Sequence, residues 1–258
     1  MYLMNFCMKR IYVKSNWFDD GSNKYQKIGI DGFNLYLNMF RFRLFNQEHE
    51  YTFITSISLL RKETKYTAQR ILELLKVLVK EKIIKIDISR WDRLLDVNGK
   101  IDTDKTIVIT AIDKPVTDKR RNEHGDMIDY PVTINDQYIS LDLPLMQHYI
   151  DLGFGERYLG LHCLLSRYSN NSEGKAWMSI NKMASTLGFG YKSVHDMIRE
   201  LNKRYLLYSR YIETEQTVNG KSGTKFEHYL LTNLDYRDEF LRSYKDLIDK
   251  NIKKWDKE

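Results

Sequence analysis

Cysteine is almost missing from this chain: Cys7 and Cys163 are the only two in 258 residues, so neither a disulfide framework nor a thiolate metal cluster is expected. Long apolar runs are missing too, and nothing approaches the ~18 uncharged apolar residues that cross a bilayer. The opening Met1-Tyr2-Leu3-Met4-Asn5-Phe6-Cys7-Met8 is apolar but short, and no small-residue cleavage site follows it, so the expectation is a cytoplasmic protein. The histidines at 49, 124, 148, 162, 195 and 228 lack the spacing of metal ligands. Gly188-Phe189-Gly190-Tyr191-Lys192 begins like a phosphate-cradling loop, but it follows a helical pattern rather than a strand and lacks the Lys-Ser/Thr ending. The 18 tyrosines have no His-x-His metal site beside them of the kind that a strand-nicking nucleophile would need. Metal, cofactor and enzymatic chemistry are therefore not expected, and binding is.

What is present is charge and aromatic surface. The net charge is +6 and the pI about 9.0, which favours a polyanionic partner. A 42% hydrophobic content over this length allows two domains with cores of their own. Four alanines against many Lys, Ile, Asn and Tyr fit coding from AT-rich DNA, as in a low-GC bacterium, its plasmids or its phages.

The chain is organised around residues 51–112. A short strand over 51–55 leads to a helix start at Ser56 with Ile57, Leu59 and Leu60 apolar, and a polar break at Thr64-Lys65 follows. The spacing of Ile71, Leu72, Leu74, Leu75, Leu78 and Val79 predicts a second helix that buries one stripe and leaves Gln69, Arg70, Glu73 and Lys76 outside. Two strand patterns, 83–88 and 106–110, flank a long turn with Asn98-Gly99. This is the order of a winged helix. The pattern returns at Met178: Ile57 matches Ile180 and Leu60 matches Met183 at an offset of 123. Leu72 and Leu75 then match Ile198 and Leu201 at 126, which implies a second turn three residues longer, with Gly188 and Gly190 supplying its corner. Strand patterns at 206–215 and 228–232 around a Gly-rich tip end the second copy.

Asp31 looks like the N-cap of an aromatic helix, Phe33, Tyr36, Leu37, Phe40, Leu44 and Phe45, running to about Asn46. Residues 113–135, with Pro115, Pro131 and Lys119-Arg120-Arg121, read as a polar linker or an extended excursion beside the wing. A strand at 137–143 then opens the second module, followed by short helical patterns at 145–152 and 155–169. The expected class is mainly α with small β-hairpins (α+β): a winged helix over 1–112, the linker, a second winged helix over 136–234, and a C-terminal amphipathic helix over 235–258. That helix carries Phe240, Tyr244, Leu247, Ile248, Ile252 and Trp255 on one face, which either docks on its own domain or pairs two copies as a homodimer.

The segment Trp17-Phe18-Asp19-Asp20, the helix with Leu35-Tyr36-Leu37, and the unit over 51–88 together resemble the N-terminal domain of phage replisome organisers, relatives of the DnaD replication-initiation proteins. The resemblance covers residues 9–88. In the DnaD-like pattern a Tyr, Ile, Trp series at four-residue steps closes the chain. Tyr244 and Ile248 fit its first two places, but Ile252 stands third and Trp255 comes three residues late. A second winged helix in that place is more similar to tandem winged-helix plasmid initiators. Both likenesses imply replication initiation on double-stranded DNA, with host replication proteins as partners.

In a helix-turn-helix the start of the second helix reads base edges, and basic and hydroxyl groups hold phosphates. The candidates are Lys65, Tyr66, Thr67, Gln69, Arg70, Glu73 and Lys76 in the first copy, and Tyr191, Lys192, Ser193, His195, Asp196 and Arg199 in the second. Gln69, Arg70 and Arg199 are the expected base readers, because their side chains can pair bidentately with adenine or guanine. Arg90, Arg93, Lys100, Lys221 and Lys225 are expected to grip the flanking backbone. A transcriptional repressor or activator would use the same surfaces, and a protein-interaction module without DNA affinity is a third reading.

Overall fold

The computed structural model describes residues 10–19, 23–43, 51–112, 117–121, 125, 127–131, 138–169, 174–218, 221–232 and 234–255. The fold is mixed α+β, with helices packed on small antiparallel sheets in two compact units. Unit 1 comprises residues 1–17 and 22–143, and unit 2 comprises 18–21 and 144–258. Among the described residues no helix is long and apolar enough to cross a membrane.

In unit 1, strand β1 (Arg10–Lys14) precedes helix α1 (Lys24–Met39). The Asn23 side chain caps α1 by accepting from the Gln26 N–H at 3.1 Å, so the helix begins earlier than Asp31. Asp31 is instead internal, two residues past a kink at Gly29, whose φ of 66° only glycine adopts at little cost. The helix gives way to a tight 3-10 turn at Phe40–Phe42, and residues 44–50 lie outside the described ones, as does the expected extension to Asn46.

Next come β2 (Thr52–Ser56), α2 (Ile57–Thr64), α3 (Ala68–Lys80), β3 (Ile84–Ile86) and β4 (Thr106–Ala111). Ser56 caps α2 and Thr67 caps α3, each through its hydroxyl. Of the expected stripe, Ile71, Leu72, Leu74, Leu75 and Leu78 are buried and Val79 is half-buried. The sheet order is β2-β4-β3, with Phe53, Ile84, Ile107 and Ile109 in the core.

Part of residues 113–135 is extended: β5 (Thr117–Arg121) and β6 (Met127–Pro131) form an antiparallel ribbon with Lys119 opposite Asp129. Strand β7 (Tyr138–Asp142) does not open the second module. It pairs with β1, Ile11 opposite Leu141 and Val13 opposite Ile139, and so closes unit 1. All four of those side chains are buried, which accounts for a pairing across more than a hundred residues.

Unit 2 runs through α4 (Leu143–Asp151, from Pro144 on), α5 (Glu156–Ser169), β8 (Ala176–Trp177), α6 (Ile180–Leu187), α7 (Tyr191–Lys203), β9 (Leu207–Val218), β10 (Lys221–Leu230) and α8 (Leu234–Trp255). Its sheet order is β8-β10-β9, so in both units the first strand lies beside the third.

The duplication is closer than the sequence pattern suggests. Ile57 and Ile180 open the first helix of each pair, Ala68 and Tyr191 the second, and Ile84 and Leu207 the next strand, always 123 residues apart. The hydrogen bonds repeat at the same interval. Lys65 N–H donates to the Arg61 carbonyl as Gly188 N–H donates to that of Ala184, and Ile83 to Leu78 as Leu206 to Leu201. Positive φ recurs at Lys65 and Gly188, and again at Lys82 and Tyr205. The turns between the helices are therefore equal, residues 65–67 and 188–190, and the expected shift to 126 is not present. The true partners of Leu72 and Leu75 are His195 and Ile198.

Helix α8 docks on its own unit. Phe240 and Ile248 are buried with Tyr208 and Leu231, and Ile252 packs against that cluster. Tyr205 Oη donates to Asp249 Oδ1 at 2.9 Å, and Asn251 Nδ2 donates to the Ser209 carbonyl. Of the face expected either to dock or to pair two copies, Phe240 and Ile248 are core and Ile252 is half-buried, while Tyr244 and Leu247 are exposed and the Trp255 side chain lies outside the described residues. Ile248→Ala should therefore cost about 2–5 kcal/mol of unit 2 stability in denaturant titration and leave the oligomeric state unchanged. Unchanged stability together with a dimer-to-monomer shift would contradict this docking.

Candidate nucleic-acid interface

The sequence candidates of unit 1 gather where α2 turns into α3 and along the 87–105 connection between β3 and β4. Lys65, at the left-handed end of α2, is exposed, and its Nζ turns back to the Lys62 carbonyl at 2.8 Å. Thr67 spends its hydroxyl on capping α3, accepting the Arg70 N–H at 3.2 Å. Gln69 and Lys76 are exposed on the outer face. Gln69 Nε2 donates to Glu73 Oε1 at 3.0 Å, and Lys76 Nζ sits 5.7 Å from the centre of the Trp91 ring.

The 87–105 connection is built to hold shape. Leu95 bridges Ile101, and Asp96 Oδ1 accepts the N–H groups of both Asn98 and Lys100 at 2.8 Å. Ser58 N–H donates to the Thr103 carbonyl at 2.7 Å, which ties the base of the connection to α2. Arg90, Arg93 and Lys100 are exposed along it. Lys105, absent from the sequence candidates, donates Nζ to the Arg93 carbonyl at 2.5 Å.

Behind the corner stands a polar row that sequence reading missed. Asp31, Asn34 and Asn38 on α1 and Arg41 in the 3-10 turn that follows recur at steps of three, four and three. Arg70 donates Nε and a terminal NH2 to Asp31 Oδ2 at 3.1 and 2.7 Å. Tyr66 Oη donates to Asp31 Oδ1 at 3.3 Å and accepts from Asn34 Nδ2 at 3.0 Å. Asn38 Nδ2 donates to Asn34 Oδ1 at 2.7 Å and its own Oδ1 accepts from Arg41 Nε, which lies 3.6 Å from Glu63. The Asp31 hydrogen bond raises the pKa of Arg70, partly offset by burial, with the Asp31 and Glu73 charges adding to the rise. The spacing of the row is legible in the sequence, but its partners lie on α2, on α3 and in the turn between them.

Unit 2 presents a different surface at the same places. Tyr191 is half exposed and stacks on His195 with 6.1 Å between ring centres, and Lys192 is exposed. Ser193 is half-buried. His195 is buried, which removes it from the groove-facing candidates. Arg199 lies 3.3 Å from Asp196 and 3.7 Å from Glu200, and the repeat aligns it with Lys76 rather than with Arg70. The partner of Arg70 is Ser193. Lys221 and Lys225 fall on β10, but their side chains lie outside the described residues.

At the base of the unit 2 sheet, buried Glu227 receives Lys175 Nζ at 2.8 Å and Arg210 Nε at 2.7 Å. Burial alone would raise its pKa, but those two donors outweigh burial and hold it below the usual range. His228 is wholly buried, its Nε2 2.9 Å from the Met178 carbonyl and its Nδ1 2.7 Å from Ser209 Oγ. Because the carbonyl only accepts, Nε2 carries the proton and Nδ1 accepts from the hydroxyl. Among the described residues no group of His, Cys, Asp and Glu is arranged to hold a metal ion.

Compared with known proteins, the chain matches no family model, no curated protein and no solved structure.

Proposed function

We propose that this chain is a site-specific double-stranded DNA-binding protein without enzymatic activity, made of two winged helices and serving replication initiation for a phage or plasmid. The observation that carries the reading is the repeat. Each unit has a helix, a strand, two helices around a three-residue turn, and two further strands, with the sheet ordered first, third, second. In a winged helix that order places the second helix of the pair in the major groove and the strand connection over the flanking phosphates. Exposed Gln69, Arg70 and Lys76 lie on the first, with exposed Lys65 in the turn before it, and exposed Arg90, Arg93 and Lys100 on the second. The net charge of +6 agrees. The replication role rests on the resemblance over residues 9–88, and a transcriptional regulator would carry the same DNA surface.

The two units are not equal readers in this account. Arg70 is the third residue of α3, near the helix start that faces bases, whereas Arg199 is the ninth of α7 and already lies between two carboxylates. On the best site selected from a random DNA pool, Arg70→Ala should cost about 1–3 kcal/mol and relax preference at one base position. Arg199→Ala should cost less, and Lys100→Ala should weaken every sequence alike, because a phosphate contact carries no base information. Competition binding on the selected and random duplexes measures all three. The opposite order, with Arg199→Ala abolishing the preference and Arg70→Ala silent, would move base reading to unit 2.

A further inference from the structure

The α1 row gives Arg70 an anion before any DNA arrives. We propose that Asp31 sets the selectivity of the α3 surface by retaining Arg70, so that DNA engages this arginine only where it returns more than the carboxylate gives up. The inference rests on the DNA-binding reading above. Both contacts of the guanidinium fall on Asp31 Oδ2, while Glu73, on Arg70's own helix, stands farther off at 3.7 Å. The Arg70–Asp31 pair is half exposed, so it can open to solvent without unfolding the core. The other Asp31 oxygen is committed to the Tyr66 hydroxyl, which the buried Asn34 and Asn38 hold from behind, so the carboxylate is a fixed acceptor rather than a swinging one.

The consequence follows from what each kind of DNA can offer. A backbone phosphate replaces one charge-assisted contact with another and leaves Asp31 unpaired beside a polyanion, so random sequence gains little from Arg70. A guanine edge within reach returns two hydrogen bonds in the fork geometry of arginine without setting a second anion against Asp31, and such a site repays the exchange best. Asp31 thus acts through Arg70, as a positioning residue that penalises the wrong partners. At the aligned position in unit 2 stands Ser193, which has no guanidinium to retain.

The test compares the full-length chain with its Asp31→Asn variant on two probes: a random 30-base-pair duplex and the best site the unmodified chain selects from a random pool. Asparagine keeps the acceptor for Tyr66 and removes the charge that holds Arg70. Affinity for the random duplex should rise about three- to tenfold. Its dependence of log K on log salt should steepen by about 0.9, the release expected of one further phosphate contact. The selected site should gain less, so the ratio between the two probes falls. Adding Arg70→Gln to Asp31→Asn should abolish the gain, and a gain that persists would make it a general charge effect and overturn the proposal. Equal weakening of both probes by Asp31→Asn, or no change in affinity, slope or ratio, would also overturn it while leaving the DNA reading in place. If the unmodified chain binds neither probe, the DNA reading itself fails and the proposal with it. Arg70→Lys loosens the same pair from the other side and leaves Asp31 intact, so a variant that fails to fold does not end the test. It too should lower the ratio, and an unchanged ratio counts against the proposal.

Discussion

Between pH 7.5 and pH 5, unit 2 should lose about 4 kcal/mol of stability while unit 1 loses little. The cause is a pair of imidazoles that burial keeps neutral: His162, beside the Tyr149 hydroxyl at 3.2 Å, and His228, between Ser209 and Met178. Burial lowers both to about pKa 4 from the ordinary 6.5, and for His228 the Met178 carbonyl and the Glu227 charge oppose the shift only in part. In the unfolded chain each takes up a proton as pH falls through about 6.5, whereas in the folded chain neither does so until about 4. The unfolded state therefore binds more protons across that window, and stability is full above about pH 7 and falls steadily below it. By pH 5 the linkage amounts to about 2 kcal/mol per histidine. Below that, the Glu227 carboxylate, held under the usual range by Lys175 and Arg210, begins to release its own share.

A loss of that size is a large part of the ~5–15 kcal/mol that stabilises a domain. Hydrogen exchange followed by mass spectrometry, corrected for the intrinsic rate, separates the units. Peptides from α7 should lose protection by about 10³ while those from α3 hold, because His162 and His228 both lie in unit 2. Equal protection of α7 at both pH values would show that the two imidazoles are not held neutral.

Local order was readable from the sequence where one stripe of apolar residues met a cap. Ser56 caps α2 at the expected helix start, and the expected apolar residues of α2, α3, α6 and α7 are mostly the buried ones, with Leu59 an exposed exception. The register of the second copy was not, and the reason is physical. His195 and Asn202 occupy inward positions that Leu72 and Val79 hold in the first copy, and both are buried. Asn202 is satisfied by donating to the Ile198 carbonyl and accepting the Ser209 N–H. Matching apolar to apolar slides over these two polar residues by three positions, to the next row of the same helical stripe.

Pairings between distant segments were equally hidden. Nothing local to residues 138–142 says that their partner is 10–14, and the alternation of a strand fits either unit. At the candidate interface, the exposed cations on α3 and the 87–105 connection were legible because charge near a helix start and a turn is a local feature. The retention of Arg70 by Asp31 was not, because it joins two helices across 39 residues.

The most direct test of the central claim is the affinity of the full chain for its selected duplex as a function of salt. If the two units together neutralise some six to ten phosphates, counterion release requires the association constant to fall by about 10³ to 10⁵ between 50 and 200 mM salt. The exposed cations of α3 and the 87–105 connection supply most of those contacts in this account, so Arg93→Ala and Lys100→Ala should each reduce the slope by about 0.9. The account predicts a steep straight line in log K against log salt. A flat response, or no binding at 50 mM salt, would contradict it and leave the two units as protein-interaction modules.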